Sequence, residues 1–396
     1  MAIAARLATF YGVIALYNSV VTPFWPVFLK SRGMGATDIA LLFMVAYLSR
    51  MIISPVLGTW ADHIGDLRKA LIILVSGSFG TIILYFFCFD FWSLLIANIL
   101  CSGIVNAVFP IMEAVTVRGS FARGLDYARV RVSGSISFVL GSLTMGGLIE
   151  HFGSAVILPA AALTLALAIA AAFWLPDERA KDHVAAPGAG NPVRKDSAFA
   201  LMVSLLRNRV FLLLAFSGSL IQAGHGVYYA FGTLNWQTQG YDSTTIGALW
   251  AIGVIAEITL FIYSRPIVER LGPGRLLVLG GTAGLIRWIG LALSPGFGIT
   301  AGLQMLHAFS YGATHLAVMS FMARAIPVSS AATAQSLFAA MFSGLFFGLV
   351  TMIAGPVFDH FGSGAFVLSA GCCVIGLLAA WQLLISWDGR PIILEK

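Results

Sequence analysis

Gly58-Thr59-Trp60-Ala61-Asp62-His63-Ile64-Gly65-Asp66-Leu67-Arg68-Lys69 lies between two long apolar stretches and gathers glycines, carboxylates and cations into one short connection. Gly58 and Gly65 permit a tight turn and close helix approach. Asp62, Arg68 and Lys69 can form charge-assisted hydrogen bonds at the helix ends. Its core, Asp62-x-x-Gly65-x-x-Arg68, is echoed by Glu269-x-x-Gly272-x-x-Arg275, an offset of 269 − 62 = 207. Glu150-His151-Phe152-Gly153-Ser154 is echoed by Asp359-His360-Phe361-Gly362-Ser363, an offset of 359 − 150 = 209. Two matches at nearly one offset predict a chain of two related halves.

The whole sequence is 59% hydrophobic and only 10% charged over 396 residues, against roughly 25% charged in a soluble domain. Long apolar stretches recur, each near the roughly 20 residues a helix needs to cross about 30 Å of hydrocarbon. Turn and charge punctuation predicts twelve spans, near 7–29, 38–60, 69–89, 92–117, 132–150, 155–175, 211–234, 244–264, 275–293, 298–323, 331–356 and 363–386. The expected fold is an all-α membrane protein with twelve transmembrane helices in two pseudo-symmetric six-helix halves, 1–175 and 209–396. The polar stretch 176–208, with its Ala/Pro/Gly run Val184 to Pro192, is expected to be a cytoplasmic linker that cannot bury a core. The first stretch, interrupted by Pro23 and Pro26, is read as a retained helix.

A net charge of +6 invites a nucleic-acid partner, but the Lys and Arg residues form short clusters between spans with no basic stripe. The bilayer is the expected partner and nucleic acid is not. With the amino terminus inside, the inner loops hold Arg68 and Lys69, Arg118 and Arg123, Arg179 to Arg209, Arg270 and Arg275, and Arg324, while the outer loops hold only Lys30 and Arg32. This asymmetry predicts an inner-membrane protein with both termini cytoplasmic. Cys88, Cys101, Cys372 and Cys373 lack ligand spacing and read as small hydrophobes.

The connection at 58–69 resembles the signature between helices two and three of the major facilitator superfamily, departing from it at His63. The resemblance implies two six-helix halves around a midplane cavity. Within the superfamily the chain resembles the lactose permease and phenylpropionate permease group over almost its whole length. Pro23-Phe24-Trp25-Pro26 is similar to the group's Pro-Phe-Phe-Pro segment, and 110–135 aligns without gaps. The resemblance implies substrate-binding roles for Glu113 and Arg131, for Phe138 where the permease stacks a Trp on its sugar, and for Arg287 and His307. Departures from lactose permease are Ser310 for its proton-carrying Glu, Gln304 and Ser343 for two Lys, and Ile221 and Gly224 for two Asp. Losing both members of each Asp–Lys pair strands no charge. His225-Gly226-Val227-Tyr228-Tyr229 and Gly253-Val254-Ile255-Ala256-Glu257 look more like the phenylpropionate permeases.

A charged residue mid-bilayer costs at least about 2.5 to 3.5 kcal/mol on insertion scales, so it faces a cavity or a partner. Glu113 and Arg131 read as a substrate anchor or as a structural ion pair. Glu257, the sole carboxylate within the carboxyl-half spans, reads as the proton carrier with His307 as relay, or as a permanent partner of Arg287. Arg287 itself can clamp a carboxylate bidentately. His225 and His315 read as cavity residues or as satisfied hydrogen-bonding groups. Arg50 reads as a packing or snorkelling cation or as an anion site. Asn18, Gln222, Gln304 and Gln335 are cavity donors. Tyr228, Tyr229 and Trp236 read as ring-stacking or belt residues.

No P-loop, nucleophile elbow, H-E-x-x-H or paired metal ligands occur, so no catalytic residues, cofactor or metal are expected and the energy comes from a gradient. The sequence therefore predicts a monomeric proton-coupled secondary transporter that imports a small organic solute by alternating access, its partners being solute and protons. Cations without the permease's full set of acids, with Phe138 for Trp, favour an aromatic carboxylate such as a phenylpropanoid acid. The competitors are a sugar or nucleoside symporter and a drug-efflux pump. From another class come a transport-dead sensor, which should carry an output domain, and a membrane enzyme, which should carry a clustered catalytic set.

Overall fold

In hydrocarbon each backbone N–H and C=O must find its partner within the protein, which restricts an apolar chain of this kind to helices or closed barrels. The computed structural model describes residues 2–123, 127–176, 195–327 and 330–392, and the regular elements among them are helices. In chain order they are α1 (Ala2–Ser31), α2 (Ala36–Ile64), α3 (Leu67–Leu84), α4 (Phe91–Arg123), α5 (Tyr127–Phe152) and α6 (Ile157–Trp174), then α7 (Lys195–Arg207), α8 (Arg209–Ala223), α9 (His225–Thr238), α10 (Ser243–Ile262) and α11 (Ser264–Ala292), and finally α12 (Phe297–Met305), α13 (Thr314–Ala325), α14 (Ala331–Ala339), α15 (Phe347–Phe361) and α16 (Phe366–Ser386).

Among the described residues ten helical runs are long and apolar enough to cross a bilayer. The sequence predicts twelve, and the difference has a local cause. The stretch expected at 298–323 is α12 and α13 interrupted by a π segment, Ala308–Ala313. The stretches expected at 331–356 and 363–386 fall in one run, Thr333–Ser386. Within that run Gly362 has φ 52°, a left-handed value that favours glycine. Large apolar side chains such as Ile52, Trp92, Leu163 and Val367 stand exposed on these helices, a surface that suits lipid rather than water.

The polar stretch expected to be a plain linker is partly outside the described residues, but its end is helix α7. Leu205 of α7 is buried in an apolar cluster with Phe211, Leu214 and Phe338, and Leu201 packs against it. Two leucines four residues apart share one helix face, so an amphipathic turn buries what composition alone reads as solvated.

The glycines with positive φ carry the internal repeat into the backbone. Gly65 and Gly272 both have φ 70° at an offset of 272 − 65 = 207. Gly153 and Gly362 stand at 362 − 153 = 209, and Gly33 and Gly240, with φ 82° and 83°, at 240 − 33 = 207. The third pair was not recognised in the sequence. His151 and His360 also repeat a contact, each placing Nδ1 on the carbonyl four residues earlier, at 2.9 and 2.8 Å.

The chain divides into two compact units, residues 1–186 with 229–251, and residues 187–228 with 252–396. In the first unit α1 packs on α5 and α6, and α2 on α4. A Cβ on Gly134 would lie 2.9 Å from the Tyr11 ring, and one on Gly141 would collide with Ser19, so α1 and α5 approach as only glycine allows. In the second unit α16 packs on α8 and α11, and α11 on α13. Asp90 caps α4 by accepting from the backbone N–H groups of Trp92 and Ser93 at 3.0 and 3.1 Å. The Ser93 hydroxyl, with these amides, holds its carboxyl below the usual range.

Candidate functional site

Helix α11 carries Arg287 into the interior of the second unit, where it is wholly buried. Its Nη2 donates to Gln304 Oε1 at 2.7 Å, and its Nη1 donates to His307 Nδ1 at 3.0 Å and Ser310 Oγ at 3.3 Å. Gln304, His307 and Ser310 come from α12 and the start of the π segment, whose wider turn accompanies this gathering of polar side chains on one side. The rings of Tyr228 and Trp288 each stand 4.6 Å from the guanidinium carbon, which adds cation–π attraction.

A guanidinium only donates hydrogen bonds, so His307 Nδ1 accepts and the neutral ring carries its proton on Nε2. That nitrogen faces Glu257 Oε2 of α10 at 3.5 Å. The chain of contacts extends further: Gln304 Nε2 donates to the Tyr228 hydroxyl at 2.8 Å, and Ser310 Oγ meets His225 Nε2 at 3.3 Å. His225 Nδ1 lies 3.0 Å from the Gln222 carbonyl, and Gln222 Nε2 donates to the Tyr311 carbonyl at 3.0 Å. The His307 and Tyr311 rings stack with centroids 5.2 Å apart. A buried cation thus sits within hydrogen-bonding side chains, beside a histidine poised between cation and carboxylate.

The first unit holds a different arrangement. Arg131 Nη1 of α5 and Glu113 Oε1 of α4 are 3.7 Å apart, with side chains 53% and 36% exposed. The Tyr11 hydroxyl of α1 donates to Glu113 Oε2 at 2.5 Å. This pair is open to approach, so a solute hydroxyl or carboxylate can compete for it. Phe138 on α5 and Asn18 on α1 are partly buried.

At the connection between α2 and α3, Gly65 donates its N–H to the Asp62 carbonyl at 3.2 Å, and Asp66 caps α3 by accepting from Lys69 N–H at 3.0 Å. Arg68 donates to the Phe173 carbonyl of α6. Gly58 is partly buried, whereas the side chains of Asp62 and Lys69 are exposed.

Residues 4–368 match the model of the MFS_1 like family. The chain belongs to that family. It is 27% identical over 370 residues to the probable 3-phenylpropionic acid transporter of Escherichia coli, covering 92% of this chain and 93% of the relative. It is 25% identical over 393 residues to the maltose permease of Geobacillus stearothermophilus, covering 98% and 95%. Among solved structures it is similar to the nucleoside transporter NupG, with a TM-score of 0.80 at 12% identity, covering 98% of this chain and 100% of that one. This family member is a multi-pass membrane transporter of the phenylpropionate and oligosaccharide permease group.

Against the sequence expectations, the structure brings Arg287, His307, Gln304, His225 and Glu257 into one cluster, and Glu113 and Arg131 into another. Gln335 is exposed on α14, and the side chain of Ser343 lies outside those described. Sequence reasoning missed Tyr11, Trp288 and Tyr311. Nothing about an aromatic residue on an apolar helix distinguishes one that faces a polar cluster from one that faces lipid.

Proposed function

We propose that this chain is a proton-coupled secondary transporter importing a small organic solute by alternating access, the solute being an aromatic carboxylate such as 3-phenylpropionate. The observation that carries the reading is His307, held by Arg287 at Nδ1 and by Glu257 at Nε2. A proton added to the ring must occupy Nδ1 and displace Arg287, while a proton added to Glu257 cancels the carboxylate that the ring faces. Either event changes the hold on the Arg287 guanidinium, so protonation is linked to the arrangement of this cluster and, through it, to solute movement. One proton carried with one monoanion moves no net charge, and the pH difference drives accumulation.

The aromatic rings beside Arg287 and the likeness to the probable 3-phenylpropionic acid transporter support the aromatic acid. A sugar or nucleoside symporter is the second reading. It is favoured by Glu113, which already accepts a hydroxyl hydrogen bond, and by the likeness to maltose permease. In that case a neutral solute with one proton would gain about 2.3 kcal/mol per 100 mV of membrane potential.

The crossings number twelve in this proposal, with α8–α9, α12–α13 and α14–α15 each one broken span, six on either side of the linker 176–208. The glycine pairs at offsets of 207 and 209 support that count. The linker and both termini lie in the cytoplasm of a monomer in the inner membrane. Labelling of Ala189→Cys from outside intact cells would overturn that topology.

The deciding experiment is uptake into proteoliposomes under an imposed pH gradient, with 3-phenylpropionate, maltose and a nucleoside as solutes. Glu257→Gln should keep solute exchange and lose pH-driven accumulation. Undiminished accumulation removes Glu257 from the mechanism, and an inward positive current with a neutral solute replaces the aromatic acid by the second reading.

A further inference from the structure

The transporter reading leaves one membrane cation without a task. Arg50 stands at the midpoint of α2, Ala36–Ile64, about 20 Å from either end at 1.5 Å per residue. On the twelve-span reading this position lies near the middle of a span, from which an Arg side chain does not reach the edge of a hydrocarbon core about 30 Å thick. No carboxylate pairs with Arg50 among the described residues, and its Nε is buried with no hydrogen-bond partner. The groups whose fields act on it are the phenols of Tyr47 and Tyr17 and the thiol of Cys101, all neutral near pH 7.

The surroundings are built from three helices of the first unit. The Tyr47 ring lies 5.1 Å from the guanidinium carbon and covers one face. Tyr17 of α1 and Cys101 of α4 contact each other at 3.8 Å. A guanidinium stacked on a ring keeps its in-plane N–H groups for a planar acceptor, which matches a carboxylate. The other two membrane cations already have acceptors in the protein: Arg131 faces Glu113, which a solute would have to displace, and Arg287 donates to Gln304, His307 and Ser310.

We infer that Arg50, held over the Tyr47 ring, is the binding site for the carboxylate of the transported organic anion, whose charge supplies the counter-ion that the described residues lack. The inference rests on the aromatic-acid reading above and names the residue that selects acid over neutral solute.

The test measures binding of radiolabelled 3-phenylpropionate, its neutral amide 3-phenylpropionamide, and maltose to the full chain in lipid nanodiscs. Wild type should bind the acid about tenfold or more tighter than the amide. R50Q should erase that preference while leaving amide affinity unchanged, and R50K, which keeps the charge but not the planar fork, should bind the acid several-fold more weakly than wild type. An acid preference that survives in R50Q, or R50K binding as tightly as wild type, would overturn the assignment alone. A wild type that binds maltose and neither aromatic compound would overturn the aromatic-acid reading together with it.

Discussion

The two units hold their charges in opposite ways. In the first, Arg131 and Glu113 face each other at 3.7 Å with both side chains accessible. In the second, Arg287 is wholly buried and gives its hydrogen bonds to a glutamine, a histidine and a serine, with the one carboxylate of the cluster reached through the histidine. An accessible pair costs little to form or to break. A buried cation with oriented partners is costly to disturb. The difference teaches that charges on membrane helices can be held in unlike ways: on the proposed function the first arrangement serves recognition and the second coupling.

The largest effect should follow removal of the buried cation. Arg287→Ala strands the partners of the guanidinium, so transport should cease and stability should fall by about 3 kcal/mol or more, read as a lower melting temperature in detergent. Arg287→Lys should rescue neither fully, because an ammonium cannot reproduce the planar fork. A variant of normal stability would show that the cluster is looser than its hydrogen bonds imply.

Arg131→Ala should separate the two units most clearly. Solute binding should be lost while stability changes by less than about 1 kcal/mol, since the pair is exposed. A melting temperature that falls as far as that of Arg287→Ala would return Glu113–Arg131 to a structural role. Ser310→Ala should have a smaller effect, removing one contact each from Arg287 and His225 at a cost of about 1 kcal/mol. Its signature should be a shifted pH profile of accumulation with solute affinity unchanged.

The smallest effect is expected far from both clusters. Asp90→Ala removes the cap of α4 and should leave binding and accumulation intact. The carboxyl of Asp90 lies below its usual range, so its contribution is present above the ordinary carboxylate pKa and is lost as pH falls through the lowered value. The stability difference between wild type and this variant should therefore be constant near neutrality and shrink away in acid.

The sequence by itself determined the membrane class, because a chain with so few charges and so many apolar stretches has no other solvent in which to fold. It also determined the internal repeat at Gly65 and Gly272, since a tight turn demands a residue that accepts positive φ, and that demand is visible as a glycine in a charged motif. It named the charged members of each polar cluster, because charge on a membrane helix is conspicuous, and missed the aromatic ones Tyr11, Trp288 and Tyr311. Only the tertiary structure decided how those members are wired. That Glu257 meets Arg287 by way of His307, that Tyr11 caps Glu113, and that Arg50 stands on Tyr47 are facts of helix rotation and approach. A helix fixes which residues share a face, but which neighbour that face meets is set by side-chain packing between helices, and a single sequence does not record it.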